Sequence, residues 1–353
     1  SMVADISSLP GGSTPQHLTV FNNELYFSAT DGTNGYELWK YDGVNAPSMA
    51  VDIVPGSGDS FPGWLTVFNN ELYFQADDGT NGYELWKYDG TSAIMVADIH
   101  PSGSSSPAHL TVFNNELYFQ AYDGINGGEL WKYDGVNAPS MIADINPGSG
   151  NSGLRSLTVF NNELFFEADD GTNGDELWKY DGTSASLVAD IVPGSGGSDI
   201  GSLTVFNNKL YFEADDGTHG DELWVYDGIN APSMVADINP GSGNSNPLER
   251  TVLNNELYFR ATDGTNGYEL WKYDGTTASL AADIWSGIDS GNPYDLTVFN
   301  NELYFSANDG TFGYELWKYD GTNAPSMVAD MTYGSSSSYL SDLTVFNNEL
   351  YFR

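Results

Sequence analysis

The decapeptide Leu18-Thr19-Val20-Phe21-Asn22-Asn23-Glu24-Leu25-Tyr26-Phe27 returns seven more times along the chain. With small changes it restarts at Leu65, Leu110, Leu157, Leu203, Arg250, Leu296 and Leu343, a mean step of about 46 residues. Repeats of this period belong to propellers and helical arrays. Helical arrays need long amphipathic runs, and every unit here is cut by Asn-Asn, Asp-Gly and glycine-rich signals.

One unit reads as four strands. The first is His17 to Phe21, turned by Asn22-Asn23 into a second, Glu24 to Ala29. The loop Asp31-Gly32-Thr33-Asn34-Gly35 leads to a third, Tyr36 to Tyr41, ended by Asp42-Gly43. The fourth is Met49 to Ile53, ended by Pro55-Gly56. Side chains alternate along a strand, so Leu25, Phe27 and Ala29 share one face while Tyr26 and Ser28 share the other. Leu38 likewise lies opposite Trp39 and Tyr41. Large side chains on both faces imply a sheet covered on both sides, as in stacked propeller blades. First, second and fourth strands each occur eight times, but the third only seven. The chain opens on a lone fourth strand, Met2 to Ile6, and closes on a lone hairpin, Leu343 to Phe352. The expectation is an all-β, single-domain propeller over residues 1–353, built from four-stranded antiparallel blades. Eight blades are expected, with the ring closed by strands from both termini, which hides the sheet edges. Seven blades with leftover ends is the alternative, and an open solenoid comes third.

Of 353 residues, Asp and Glu number 49 against 11 Lys and Arg, a formal charge of −38. Phosphate binding needs a basic surface, so nucleic acid is excluded as the main partner, and anionic lipid is disfavoured. No apolar run approaches the roughly 18 residues of a membrane helix, so no membrane insertion is expected. The absence of cysteine removes disulfides and thiolate metal sites. No signal peptide is visible, and Ser1 begins inside a repeat unit, so upstream sequence is expected to be missing or processed. High negative charge favours a soluble monomer and suits salty or calcium-rich water, where counterions screen repulsion.

The segments Glu37-Leu38-Trp39-Lys40-Tyr41-Asp42-Gly43 and Glu84-Leu85-Trp86-Lys87-Tyr88-Asp89-Gly90-Thr91 resemble the bacterial ELWxxDGT repeat family. The stretch Val188-Ala189-Asp190-Ile191-Val192-Pro193-Gly194 is similar to that family's later motif. All seven units carry the Asp-Gly, at Asp42, Asp89, Asp134, Asp181, Asp227, Asp274 and Asp320. The second Gly-Thr usual in the family is absent, so the turn between third and fourth strands differs. The resemblance implies a secreted or cell-surface bacterial protein. It names a repeat, not an activity. The unit also loosely resembles kelch blades, in agreement with the strand order.

In an up-and-down blade, the loops after the second and fourth strands emerge on one face. That face collects Asp31, Asp78, Asp123, Asp170, Asp216, Asp263 and Asp309, with Glu37 and its counterparts beside them. Calcium takes six to eight oxygen ligands, so these loops are candidate calcium sites, and Asp170, Asn173, Asp175 and Glu176 make one candidate set. The competing reading is that each Asp caps its own turn while Gly supplies positive φ. The position of Asn34 is His219 in one unit and Phe312 in another, which weakens any strict ligand list. No cofactor is required by this reading.

Trp39, Trp86, Trp131, Trp178, Trp224, Trp271 and Trp317 recur inside the third strand and read as packing between blades. Trp64 and Trp285 occur once each, in connections after the fourth strand. They are candidate ligand-binding residues, together with Phe61, Tyr294 and Tyr339. The Asn-Asn pairs read as tight hairpins, and the once-per-blade lysines as partners of nearby acids. His17, His100, His109 and His219 have no metal-ligand spacing, and no GxSxG, HExxH or P-loop pattern occurs. The residues that break the repeat are few: Arg155, Arg250, Arg260, Trp64, Trp285 and the histidines. They form no known catalytic set. The expected function is therefore a non-catalytic extracellular binding or structural module with a protein or glycan surface partner. A multivalent lectin is the alternative, since repeated weak contacts add. A polysaccharide hydrolase or lyase at the channel mouth is third.

Overall fold

Asn22 and Asn23 both take left-handed backbone angles, φ 48° and 61°, and so do the Asn-Asn pairs of the other seven units. Two successive positive φ values make a turn whose twist matches the flanking strands, and asparagine tolerates that geometry. In the computed structural model, which describes residues 2–7 and 11–353, each such turn joins the first two strands of a sheet. The first unit comprises β1 (Gln16–Phe21), β2 (Glu24–Thr30), β3 (Tyr36–Tyr41) and β4 (Ser48–Val51), paired antiparallel in that order. The expected fourth strand ran to Ile53. It stops earlier because the Ile53 N–H is taken by the Glu37 carboxylate, at 2.9 Å, instead of by a strand.

Seven such four-stranded sheets follow one another around a ring, and the described residues contain no helix. The fold is a β-propeller. The two faces of each sheet pack separately, as the alternation requires. Tyr26 and Leu38 join Leu72, Phe74 and Tyr88 of the next blade, while Leu25, Phe27, Ala29 and Trp39 join Phe346 on the other side. Each fully buried Phe or Leu contributes about 2 kcal/mol. The first strands are innermost. Thr19, Thr66, Thr111, Thr158 and Thr297 each donate a hydroxyl hydrogen bond to the carbonyl of a leucine one unit ahead, at 3.2 to 3.4 Å. An aromatic ring of each of the first six second strands meets the third-strand tyrosine of the next blade. Tyr26–Tyr88, Tyr73–Tyr133, Tyr118–Tyr180, Phe165–Tyr226, Tyr211–Tyr273 and Tyr258–Tyr319 have centroids 5.6 to 5.9 Å apart.

The complete blades number seven, which is the alternative count and not the expected eight. The reason lies at the ring closure. Thr344–Phe346 and Glu349–Tyr351 form a two-stranded sheet. This hairpin packs on the seventh blade through Leu316, Leu340 and Leu343 and on the first through Phe346. Tyr351 meets Tyr41 at 5.8 Å, the same contact that links the other units. The hairpin thus holds an eighth position with half a blade. Met2–Ile6 is not a strand, against expectation, because among the described residues no third strand pairs with it. Ile6 still packs among Leu25, Phe27 and Phe346.

Six lysines pair with the glutamate that opens the second strand, from Lys40–Glu24 to Lys318–Glu302, at 2.8 to 3.1 Å. In the fifth blade both partners change together, to Lys209 and Val225. The recurrent tryptophans lie within the blade packing as expected, with Trp39 7% exposed and Trp131 9%.

Candidate binding site at the channel entrance

The acids of the loops between second and third strands are already engaged. Asp31 Oδ1 accepts the N–H groups of Thr33 and Asn34, at 2.7 and 2.9 Å, and Oδ2 accepts the Asn34 amide at 2.7 Å. Asp78, Asp123, Asp170 and Asp263 repeat all three bonds. Asp216 does so with His219, and Asp309 keeps only the two backbone bonds because Phe312 has no amide. These bonds hold the carboxyls of Asp31, Asp78 and Asp216 below the ordinary range, against the opposing effect of burial at Asp78 and Asp216. The set Asp170, Asn173, Asp175 and Glu176 does not converge. Asp170 and Asn173 bond each other, and Glu176 turns inward to Ile191, Val192 and Ser198. Among the described residues no group of three or more His, Asp or Glu side chains is arranged to hold a metal ion. A calcium chelator is therefore expected to move the melting temperature by less than about 1 °C, measured by differential scanning calorimetry. A drop of several degrees would place an ion in these loops.

The residues that break the repeat gather elsewhere. In six of the eight first strands the pairing shifts by an inserted residue, as between Gln16 and Thr19. The inserted residue carries positive φ, as at His17, Trp64, His109, Ser156, Glu249 and Asp295. Such a bulge re-aims a side chain, here towards the channel. Around the ring this one position reads His17, Trp64, His109, Ser156, Ser202, Glu249, Asp295 and Asp342. Consecutive members touch: Asp342 accepts the His17 N–H, Asp295 that of Asp342, and Glu249 that of Asp295, at 2.9 to 3.2 Å. The Trp64 and His109 rings lie 4.3 Å apart. Together with Ser156 and Ser202 they line a cavity of about 400 Å³.

A second ring of varied residues stands beside it on the second strands: Ser28, Gln75, Gln120, Glu167, Glu213, Arg260, Ser306 and Arg353. Glu167 pairs across the ladder with Arg155, and Arg260 with Leu248. Burial pushes Glu167 up to about 8 against the pull of Arg155, with Asp175, Asp199 and Glu213 adding repulsion. Burial likewise pushes Glu213 to about 7, opposed by Arg250 and Arg260. Burial lowers His17 and His109. The Arg260 guanidinium lies over Tyr268 and Tyr294, 4.8 and 4.7 Å from their centroids. All four arginines of the chain belong to this region, and among the described residues none forms a direct ion pair. The entrance combines carboxyl and guanidinium groups outside direct ion pairs with partly exposed rings, each lying against one neighbour: Phe61, on Tyr36, is 43% exposed, Trp64, against His109, 40%, and Tyr339, on Tyr314, 74%.

Of the two single tryptophans, only Trp64 is here. Trp285 is half-buried against the next blade, where a Cβ on Gly310 would run into its indole. His100 and His219 bond within their own loops. Sequence reasoning singled out Arg155, Arg250, Arg260, Trp64 and the histidines but did not join them. It passed over Glu167, Glu213, Asp199 and Arg353. Aligning the units column by column would have exposed them, because the column of Ser28 varies while its neighbours stay constant.

No family model and no curated protein matches the chain. Solved structures do share its fold. The computationally designed Ika8 protein is 21% identical, with TM-score 0.56 over 96% of this chain and 93% of that one. A puromycin-hydrolysing peptidase of Mycobacterium tuberculosis is 9% identical, TM-score 0.58, with 96% of this chain covering 58% of the peptidase. The β-propeller domain of the Trilobed protease from Pyrococcus furiosus, described as having an open velcro topology, is 10% identical, TM-score 0.53, over 90% and 98% of the two chains. At these identities the likeness is one of fold alone.

Proposed function

We propose that this protein is a non-catalytic binding module working outside the cell, as a surface or matrix interaction protein, with its ligand seated at the channel entrance. One observation carries the reading: blade-building residues are nearly constant from unit to unit, whereas the two columns facing the entrance hold five and four residue types among eight units, unlike in size and charge. Selection for folding alone has no reason to vary one ring of positions and spare the rest. The strongly acidic composition and the ELWxxDGT resemblance support an extracellular setting. The unlike residues around the entrance favour one composite site over eight equal ones.

A glycan is the second reading, favoured by the exposed Trp64 and Phe61 faces beside carboxylates and guanidinium groups, which together suit a polyhydroxylated ring. Glycan and matrix-protein arrays probed with the wild type, Trp64→Ala and Ile229→Ser test both readings. Ile229 is 87% exposed on the turn between third and fourth strands, at the opposite end. The expected result is at least tenfold weaker binding for Trp64→Ala, about 1.4 kcal/mol, and no change for Ile229→Ser. Equal behaviour of the two variants would remove the site from the entrance. Polysaccharide cleavage abolished by Glu167→Gln would replace the non-catalytic reading.

A further inference from the structure

We propose that the half-filled eighth position is an acceptor for one extended strand carrying the repeat's own Glu-Leu-Trp-Lys-Tyr pattern, supplied from outside this ring. The seven complete blades show what belongs there. Elsewhere a second-strand ring meets the third-strand tyrosine of the following unit, as Tyr26 meets Tyr88. Tyr304 of the seventh blade has no such partner among the described residues, and it is half-buried where Tyr26 and Tyr73 are 1% and 0% exposed. The outer strand of that blade, Ser326–Ala329, is correspondingly bare, with Val328 46% exposed and Met331 just beyond it 41%.

The hairpin presents the matching edge. In a complete unit the second strand pairs residue by residue with the third, Leu25 with Tyr41, Tyr26 with Lys40 and Phe27 with Trp39. Leu350, Tyr351 and Phe352 offer the same series with no third strand beside them among the described residues, and Leu350 is half-buried where Leu72 and Leu117 are fully buried. An incoming strand would set its lysine beside Glu349, as Lys40 sits 3.1 Å from Glu24. Among the described residues Glu349 accepts a side-chain hydrogen bond from the Tyr351 hydroxyl alone, at 2.8 Å.

The last element is already in place. Met2-Val3-Ala4-Asp5-Ile6 repeats the sequence of Met95–Ile99 and of Met234–Ile238. In those two units the segment contributes to a strand because a third strand pairs with it. At the N-terminus the same five residues form no strand, although Ile6 packs beside the hairpin. One added strand would therefore satisfy two ladders, one on each side, and main-chain hydrogen bonds with side-chain pockets are how sheet edges recognise extended peptides.

The test adds a synthetic peptide of the sequence of residues 309–321 and follows amide hydrogen exchange. The expected result is saturable binding with at least tenfold slower exchange at both 2–6 and 350–352, and a higher melting temperature. A control peptide with serine for its Leu and Trp should do neither. A second protein, with the same segment fused after Arg353, covers poor peptide solubility and should show the same protection permanently. Absence of protection in the fusion, or protection by the control peptide, would overturn the proposal. So would a concentration-dependent dimer, seen by light scattering, that protects 350–352 without any peptide, since a second copy would then be the occupant.

Discussion

Glu222→Ala is expected to lower the melting temperature by roughly 5 °C. Glu222 is 0% exposed. Its carboxylate accepts the N–H groups of Ile238 and Asn239, at 2.8 and 3.1 Å, and the Ser245 hydroxyl at 2.8 Å. These three donors sit where the fourth strand leaves the sheet and the chain swings to the next blade. Alanine strands all three in a site without water access, at about 1–3 kcal/mol for each unpaired group less what relaxation recovers. A net loss of about 3–5 kcal/mol in a chain of this length corresponds to several degrees. Glu222→Gln should cost less, because one oxygen still receives Ile238 and Ser245, but its amide would face the Asn239 N–H. Calorimetry on both variants checks the order. An alanine variant that melts with the wild type would mean that the connection does not depend on this carboxylate.

Lowering the pH from 8 to 5 is expected to raise the melting temperature by roughly 10 °C. Burial lifts Glu37, Glu129, Glu222 and Glu269 from 4.5 to about 7, above the opposing pull of their hydrogen bonds. Glu167 and Glu213 move the same way, to about 8 and about 7. A carboxyl whose pKa is higher in the folded state binds its proton more tightly there. Its contribution is complete below about 4.5 and disappears as pH rises through about 7 to 8. Each tenfold gain in proton affinity on folding is about 1.4 kcal/mol, so six groups sum to several kcal/mol after allowance for partial solvent screening. Loss of repulsion among 49 acids acts in the same direction. The capped turn acids, such as Asp31, lie below their ordinary value and withdraw stability only below about pH 4. The maximum should fall near pH 4.5–5, roughly where the buried glutamates are protonated and the turn acids still ionised. A profile that is flat, or that rises toward pH 8, would contradict the assignment of these glutamates. Glu167→Gln with Glu213→Gln should flatten the upper part of the curve.

The entrance was only partly legible in the sequence. A bulge position such as that of Trp64 or Asp295 is visible as a varied residue before a constant Leu-Thr. Which of these residues meet depends on the curvature of the whole ring. Arg155 and Arg250 are about two units apart in the chain, yet Glu167 answers to one and Glu213 to the other in one continuous patch. The acids that drew attention as metal ligands were the constant ones, and constancy there reflects turn capping. The informative acids were the inconstant ones.

Local chemistry alone determined the turns, the strand faces and the propeller. Asn-Asn and Asp-Gly need left-handed backbone angles wherever they stand, and alternating large side chains need cover on both faces of a sheet. Tertiary structure decided everything that depends on having a neighbour. Met-Val-Ala-Asp-Ile lies in a strand region beside Trp86 and beside Trp224, and forms no strand at residues 2–6, because a backbone ladder exists only when a second strand is there to receive it. The same dependence set the number of complete blades at seven and left an eighth place half built.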